Sequence, residues 1–260
     1  MSDNRPIGLF DSGVGGLSVL LEIHKRLPKE SVIFLADQGH NPYGAKSAAE
    51  LKDLSEKIAK FLLKKDIKIL VIACNTATCY ALDHLRSKFK IPIIGVVPAL
   101  KPAVSLSKNA KIVIMSTPAT AKSAYLKDLV VRYAKNIRVL RLGCEGLEEA
   151  IEYLANNEIN KLLDTYAAKI NKFGADVIVL GCTHFPFVKD KTKTRLGPKV
   201  RIIDSGNAVA KRVETILDKE HLLASKKLPD RYFTTADSKI FSRVASILLK
   251  YKVVSHKATL

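Results

Sequence analysis

LVIACNTAT, residues 70–78, is an apolar run broken by a cysteine, an asparagine and a threonine. A short Val/Ile-rich run of this kind has the length of a buried strand, and the polar triplet after it is where such a strand stops and a helix begins. VIVLGCTHF, residues 177–185, repeats the arrangement with Cys182, Thr183 and His184. An explanation of the first thiol has to serve for the second.

Working outward from these two stretches, strand-like runs alternate with helical patterns almost from end to end, which predicts an α/β fold with parallel sheets and crossover helices. PIGLF, SVIFLA, IKILVIA and IPIIGVV form one group of strands, and KIVIMS, IRVLRL, DVIVLG and VRIID a second. Their apolar positions are consecutive rather than alternating, as in strands covered on both faces. Helical periods fall over residues 47–64 and 123–135. Residues 206–222 and 236–251 read as helical, with no further strand near the C-terminus.

The two groups follow one plan. LVIACNTAT leads through a helix to IPIIGVV, and VIVLGCTHF through a helical stretch to VRIID at nearly the same distance. Asp11-Ser12 ends the opening strand of the first group as Ser116-Thr117 ends that of the second. The expected architecture is two facing pseudo-symmetric domains, each with a mostly parallel sheet flanked by helices. Residues 1–97 with 207–260 would form the first and residues 98–206 the second. Ligands of such sheets bind outside the carboxyl ends of the strands.

A chain of 260 residues that is 47% hydrophobic can bury a sizeable core, and its longest apolar runs fall well short of a membrane-spanning helix. The N-terminal residues lack the basic-then-apolar order of a secretory signal, so the cytoplasm is the expected location. Four scattered cysteines without a C-x-x-C pair fit free thiols in a reducing compartment better than a disulfide framework or a zinc ribbon. The net charge of +18 is spread over lysines on solvent faces, without the interleaved aromatics of a single-strand binding surface. It reads as a solvated basic surface, and nucleic acid is not an expected partner.

Helix starts at the ends of parallel strands present unpaired N–H groups and a partial positive charge, and anions bind there. Asn75-Thr76, Thr183-His184, and Ser12 with Gly13, Gly15 and Gly16 are three such junctions. DSGVGG lacks the third glycine of the dinucleotide fingerprint, so neither NAD nor ATP is expected. Cys79 and Cys144 read as small buried hydrophobes. Cys74 and Cys182 sit where a helix N-terminus lowers a thiol pKa.

Three chemistries could use such a pair. Nucleophilic catalysis by Cys182 with His184 leaves Cys74 idle. A metal held by Cys74, Cys182 and His184 lacks an established ligand spacing. Acid–base chemistry from two sides needs one group to remove a proton from one face of a carbon and another to deliver it to the opposite face, and two thiols meet that need. Asp11 and His184 are the proton-handling neighbours, and the Pro42-Tyr43-Gly44 turn offers backbone N–H groups to a carboxylate.

In these residues the sequence resembles the glutamate racemases of the cofactor-independent aspartate/glutamate racemase superfamily. FDSGVGGLS, NPYG, ACNTAT, GVVPA, TPAT and GCTHFP occur in the family's order along nearly the whole chain. The resemblance implies that Cys74 abstracts the α-proton of D-glutamate and Cys182 that of L-glutamate, assisted by Asp11 and His184 respectively. It implies that Asp11, Ser12, Tyr43, Gly44, Asn75, Thr76, Thr183 and His184 hold the substrate, with Thr117 and Thr120 nearby and Glu152 as a carboxylate to orient His184. It also implies a homodimer that uses no pyridoxal phosphate, flavin or metal and supplies D-glutamate for bacterial peptidoglycan. The family commonly has Cys-Pro where this chain has Cys144-Glu145. A related racemase acting on aspartate or another amino acid, and a basic binding protein on a racemase-derived scaffold, are the alternative readings.

Overall fold

The computed structural model describes residues 2–260. The chain divides into two compact units, Met1–Val96 with Gly206–Leu260, and Val97–Ser205.

The first unit is built on a six-stranded sheet. In chain order its strands are β1 (Ile7–Asp11), β2 (Val32–Ala36), β3 (Ile69–Ile72), β4 (Ile93–Gly95), β9 (Arg231–Thr234) and β10 (Ser255–Lys257), arranged β10-β9-β2-β1-β3-β4. The second unit carries β5 (Lys111–Ser116), β6 (Arg138–Gly143), β7 (Val177–Leu180) and β8 (Arg201–Ile203), arranged β6-β5-β7-β8. Every pairing in both sheets is parallel. All eight strands expected from the apolar runs are present. The expectation of no further strand is corrected by β9 and β10: Arg-Tyr-Phe-Thr and Ser-His-Lys lack an apolar run because they lie at one side of the sheet and hold their places by main-chain pairing to β2 and to each other.

The repeated plan is visible in the strand order. Within each unit the four strands β2-β1-β3-β4 and β6-β5-β7-β8 stand in the same sequence: second, first, third, fourth. In both, the chain builds outward on one side of its first strand, then returns to build on the other. The switch point falls between β1 and β3 in one unit and between β5 and β7 in the other, where open α/β sheets form a crevice at the strands' carboxyl ends.

The consecutive apolar residues of β5 show why these strands do not alternate. Ile112 and Ile114 pack on one face with Leu100, Ala103 and Leu126, while Val113 and Met115 pack on the other with Leu147, Leu163 and Ile170. Each side chain still points opposite to its neighbour, but both faces are covered. The helices responsible are α4 (Leu100–Leu106), α6 (Ala124–Tyr133), α7 (Leu147–Glu152) and α8 (Asn156–Phe173).

In the first unit, α2 (Ala48–Leu63) starts in a complete capping box. Glu50 N donates to Ser47 Oγ at 3.2 Å and Ser47 N to the Glu50 carboxylate at 2.8 Å. Helix α10 (Gly206–Lys219) returns to this unit against α1 (Leu17–Arg26), where Arg26 Nε meets Glu214 Oε2 at 2.6 Å. Helix α11 (Ser238–Leu249) follows β9 and buries Phe241 beside Phe34 of β2. Among the described residues no helix is long and apolar enough to cross a membrane.

Candidate active site

In the first unit the candidate residues collect at the carboxyl ends of β1 and β3. Asp11 is the last residue of β1, wholly buried, and its Oδ1 accepts the Ser12 N–H at 2.8 Å and the Ser12 hydroxyl at 3.4 Å. The turn after it can close because Gly16 has no side chain. A Cβ there would lie 2.8 Å from Asp11 Cβ and 2.9 Å from a Phe34 ring carbon.

Cys74 caps α3 (Asn75–Lys88). Its sulfur accepts the Ala77 N–H at 3.5 Å, and its thiol reaches Ser12 Oγ at 3.8 Å. A backbone donor of the first helical turn is therefore aimed at the sulfur, as the strand-to-helix reading of residues 70–78 required. Asn75 and Thr76 open α3 and are buried, and Asn75 Oδ1 has no hydrogen-bond partner. A buried acceptor without a donor is costly unless a bound molecule supplies one.

Tyr43 lies in the turn expected to offer main-chain N–H groups, yet its side chain turns inward. Its ring is buried in the same cluster as Cys74 and Phe10, and its hydroxyl donates to Asp37 Oδ2 at 2.6 Å. Burial first, and then the Asp37 carboxylate, push the phenol well above its ordinary pKa. That hydroxyl is already committed, so the turn can offer a ligand only its main chain. Gly44 follows on the exposed side.

In the second unit Cys182 and Thr183 follow β7, and Thr117 follows β5. Thr117 caps α5 (Pro118–Lys122): its Oγ1 accepts the Thr120 N–H at 3.3 Å and donates to Thr120 Oγ1 at 3.1 Å. Gly181 N donates to Met115 O at 2.7 Å, which sets the Cys182 strand end beside that of β5. Cys182, Thr183 and His184 are all buried.

His184 lies between two partners. Its Nδ1 is 3.7 Å from Cys182 Sγ, and its Nε2 is 2.7 Å from Oε2 of Glu152, the last residue of α7. Burial disfavours the imidazolium, but the hydrogen bonds to Cys182 and Glu152 outweigh it and hold His184 well above its ordinary pKa. For Cys182 burial wins: it pushes the thiol up against the lowering contact with His184. Both shifts favour the protonated forms, an imidazolium and a thiol.

This corrects one expectation. Cys182 does not stand at the start of an α-helix. His184 leads into a 3-10 turn over Phe185–Val188, with Pro186 in its first turn, and only then into α9 (Lys189–Leu196). Pro186 contributes no N–H, so the field that Cys74 meets at α3 is not reproduced at Cys182. His184 stands beside the sulfur instead.

The other two cysteines are packing residues. Cys144 is buried among Leu142, Leu147 and Ile151 with its thiol on Leu142 O, and burial drives its pKa up; Cys79 is half-buried on α3. No disulfide joins any of the four cysteines, and among the described residues no group of three or more ligating side chains is arranged to hold a metal ion.

Comparison with known proteins shows the family. A family model described as Asp/Glu/hydantoin racemase matches residues 19–213. The chain is 40% identical to the glutamate racemase of Pseudomonas paraeruginosa, over 95% of each chain. Among solved structures it superposes on glutamate racemase isoform RacE1 of Bacillus anthracis with a TM-score of 0.91 and 31% identity, covering 99% of this chain and 98% of that one. The Escherichia coli glutamate racemase, determined with L-glutamate and the activator UDP-MurNAc-Ala, gives 0.85 at 32% identity over 97% of each. With a thiol at an equivalent strand end in each unit, and with relatives of this length and likeness, the chain belongs to the Asp/Glu/hydantoin racemase family and, within it, to the glutamate racemases, isomerases that act on amino acids.

Proposed function

We propose that this protein interconverts L- and D-glutamate by moving the α-proton between two thiols, without a cofactor. Cys74 removes the proton from D-glutamate and Cys182 from L-glutamate, and each returns one in the opposite direction. The observation that carries this reading is the pair of equivalent strand ends, after β3 and after β7, each bearing a thiol at the switch point of its sheet. The mechanism requires the two sulfurs to address opposite faces of one α-carbon.

Asp11 assists Cys74, and His184, oriented by Glu152, assists Cys182. Burial favours Cys182 as the thiol that would deliver a proton to a carbanion, and the upward shift of His184 favours the imidazolium that would stabilise the thiolate left behind. The substrate's carboxylates are met by main-chain and hydroxyl donors at Ser12, Tyr43, Gly44, Thr76 and Thr183, with Thr117 and Thr120 nearby. The orphan Asn75 Oδ1 is an acceptor for its ammonium group. The E. coli relative was determined with L-glutamate, which favours that side-chain length over aspartate. In this reading the protein is a cytoplasmic homodimer that supplies D-glutamate for peptidoglycan, and nucleic acid is not a partner; light scattering tests the dimer.

The deciding experiment incubates the purified protein with L- and, separately, D-glutamate in heavy water without added cofactor, following optical rotation and the α-proton signal. Racemisation of both enantiomers with solvent deuterium in the product is the expected result. No exchange by folded protein would remove glutamate as substrate, and activity on aspartate instead would assign the related specificity.

A further inference from the structure

Strand β9 brings a residue of the C-terminal segment to the loop that carries Tyr43 and Gly44. The register pairs Ala36 with Thr234, so the next residues along, Asp37 and Thr235, emerge side by side. Thr235 N extends the ladder by donating to Ala36 O at 3.1 Å. Its hydroxyl donates to Asp37 Oδ1 at 2.8 Å and accepts the Gly39 N–H at 2.9 Å. The approach is close: a Cβ on Gly39 would stand 3.0 Å from that hydroxyl and 3.1 Å from Thr235 O.

Asp37 is wholly buried and gathers the loop around its carboxylate. Oδ1 also meets His40 Nδ1 at 2.7 Å, and Oδ2 accepts the Tyr43 hydroxyl at 2.6 Å. Its own N–H donates to Asp11 O at 2.8 Å, tying the cluster to the end of β1. A buried carboxylate holds its donors in place only while enough of them satisfy it. Thr235 is the donor that comes from outside the loop, 198 residues along the chain.

We propose that Thr235 is a positioning residue: through Asp37 it fixes the Tyr43–Gly44 turn whose main chain receives a substrate carboxylate. This rests on the glutamate reading above and goes beyond it, because Thr235 lies outside the matched family region of residues 19–213 and touches no residue placed at the reacting thiols. A donor lost from Asp37 loosens the turn in the free and bound protein alike. The effect therefore falls on substrate binding more than on the proton-transfer step.

The test uses the full-length chain with Thr235→Val and Thr235→Ser, read in two ways: steady-state racemisation of both glutamate enantiomers, and amide hydrogen exchange of residues 38–46 without substrate. Thr235→Val is expected to raise KM for both enantiomers by about three- to tenfold with kcat changed less than about twofold, and to speed exchange in that segment. Thr235→Ser keeps the hydroxyl and is expected to restore both. An unchanged KM, a loss confined to kcat, or failure of serine to restore the wild-type values overturns the proposal, whatever the exchange shows. If Thr235→Val does not fold, Gly39→Ala presses on the same hydroxyl and carries the same expected rise in KM. The exchange measurement does not depend on glutamate being the substrate, so wild-type protein inactive on glutamate would defeat the functional reading while the link from Thr235 to the turn would still be read.

Discussion

His184 Nε2 lies 2.7 Å from Glu152 Oε2 with both side chains buried, and the other ring nitrogen faces Cys182. A carboxylate behind the ring fixes which nitrogen carries a proton and raises the ring's affinity for a second one. Glu152→Gln removes that charge while keeping the shape. Because the two enantiomers of glutamate are equal in free energy, the loss in kcat/KM must be the same in both directions, although only the Cys182 side is touched. The expected fall is about 10- to 100-fold. The limb of the pH profile that reports His184 should move to lower pH, since a cause that raises its pKa has gone. Profiles of kcat/KM for both enantiomers check this, and a profile like the wild type would take Glu152 out of the reaction.

The two thiols are predicted to be individually indispensable. Cys74→Ser and Cys182→Ser each place an alcohol, a far weaker acid, where the α-proton must be exchanged, and turnover should drop by roughly 10³-fold or more with the fold intact. Near-normal racemisation by either variant would sink the two-thiol mechanism.

What the sequence revealed and what it hid follow from the range of the interactions. Strands such as β5 and β7 announce themselves because they are covered on both faces, so burial alone writes a run such as KIVIM or VIVL. Strand β10 is Ser-His-Lys with only its first residue buried, and nothing local distinguishes it from a loop. Cys74 and Cys182 stand out in the sequence because a thiol followed by Asn-Thr or Thr-His interrupts an apolar run at its end. Of their partners, Glu152, which reaches His184 from 32 residues away, is named only through the family resemblance, and Thr235, which reaches Asp37 from 198, is not named at all. The expectation for Cys182 failed locally, since Pro186 in THFPF turns the chain through a 3-10 segment where Asn75-Thr76 opens a helix.

Stability of the first unit should depend on one buried ion pair. Lys68 Nζ lies 2.6 Å from Glu30 Oε2 with both side chains inaccessible to solvent, and it also donates to the carbonyls of Asp3 and Leu222 at 2.7 Å each. Glu30 Oε1 accepts the Ala224 N–H at 2.8 Å, so the pair ties the start of β3 to the N-terminal residues and to the segment between α10 and β9. Lys68→Met leaves a buried carboxylate without its cation and should cost about 3–5 kcal/mol, whereas replacing both partners with apolar residues should cost less. Urea unfolding of the single and double variants measures the difference. A double variant worse than Lys68→Met would show that the Glu30 carboxylate stabilises the unit through its bond from the Ala224 N–H even without its cation.

Asp230 should make part of the stability sensitive to acid. Burial favours its protonated form, but the approach of His24 Nε2 at 3.3 Å, the Val32 N–H at 2.8 Å and Lys227 at 3.4 Å prevail and hold the carboxyl below its ordinary pKa. A group whose pKa is lower folded than unfolded binds fewer protons in the native state, so its contribution is complete above the unfolded value, near 3.9, and drains away as pH falls through the lower folded value. Asp230→Asn removes that contribution at every pH. The variant should therefore melt below the wild type at neutral pH, and the gap between the two melting temperatures should narrow once pH drops beneath about 3.9. Melting curves of both proteins across that range provide the check. A gap that stays constant down to the acid limit would mean that the carboxylate's charge contributes nothing where β9 enters the sheet beside β2.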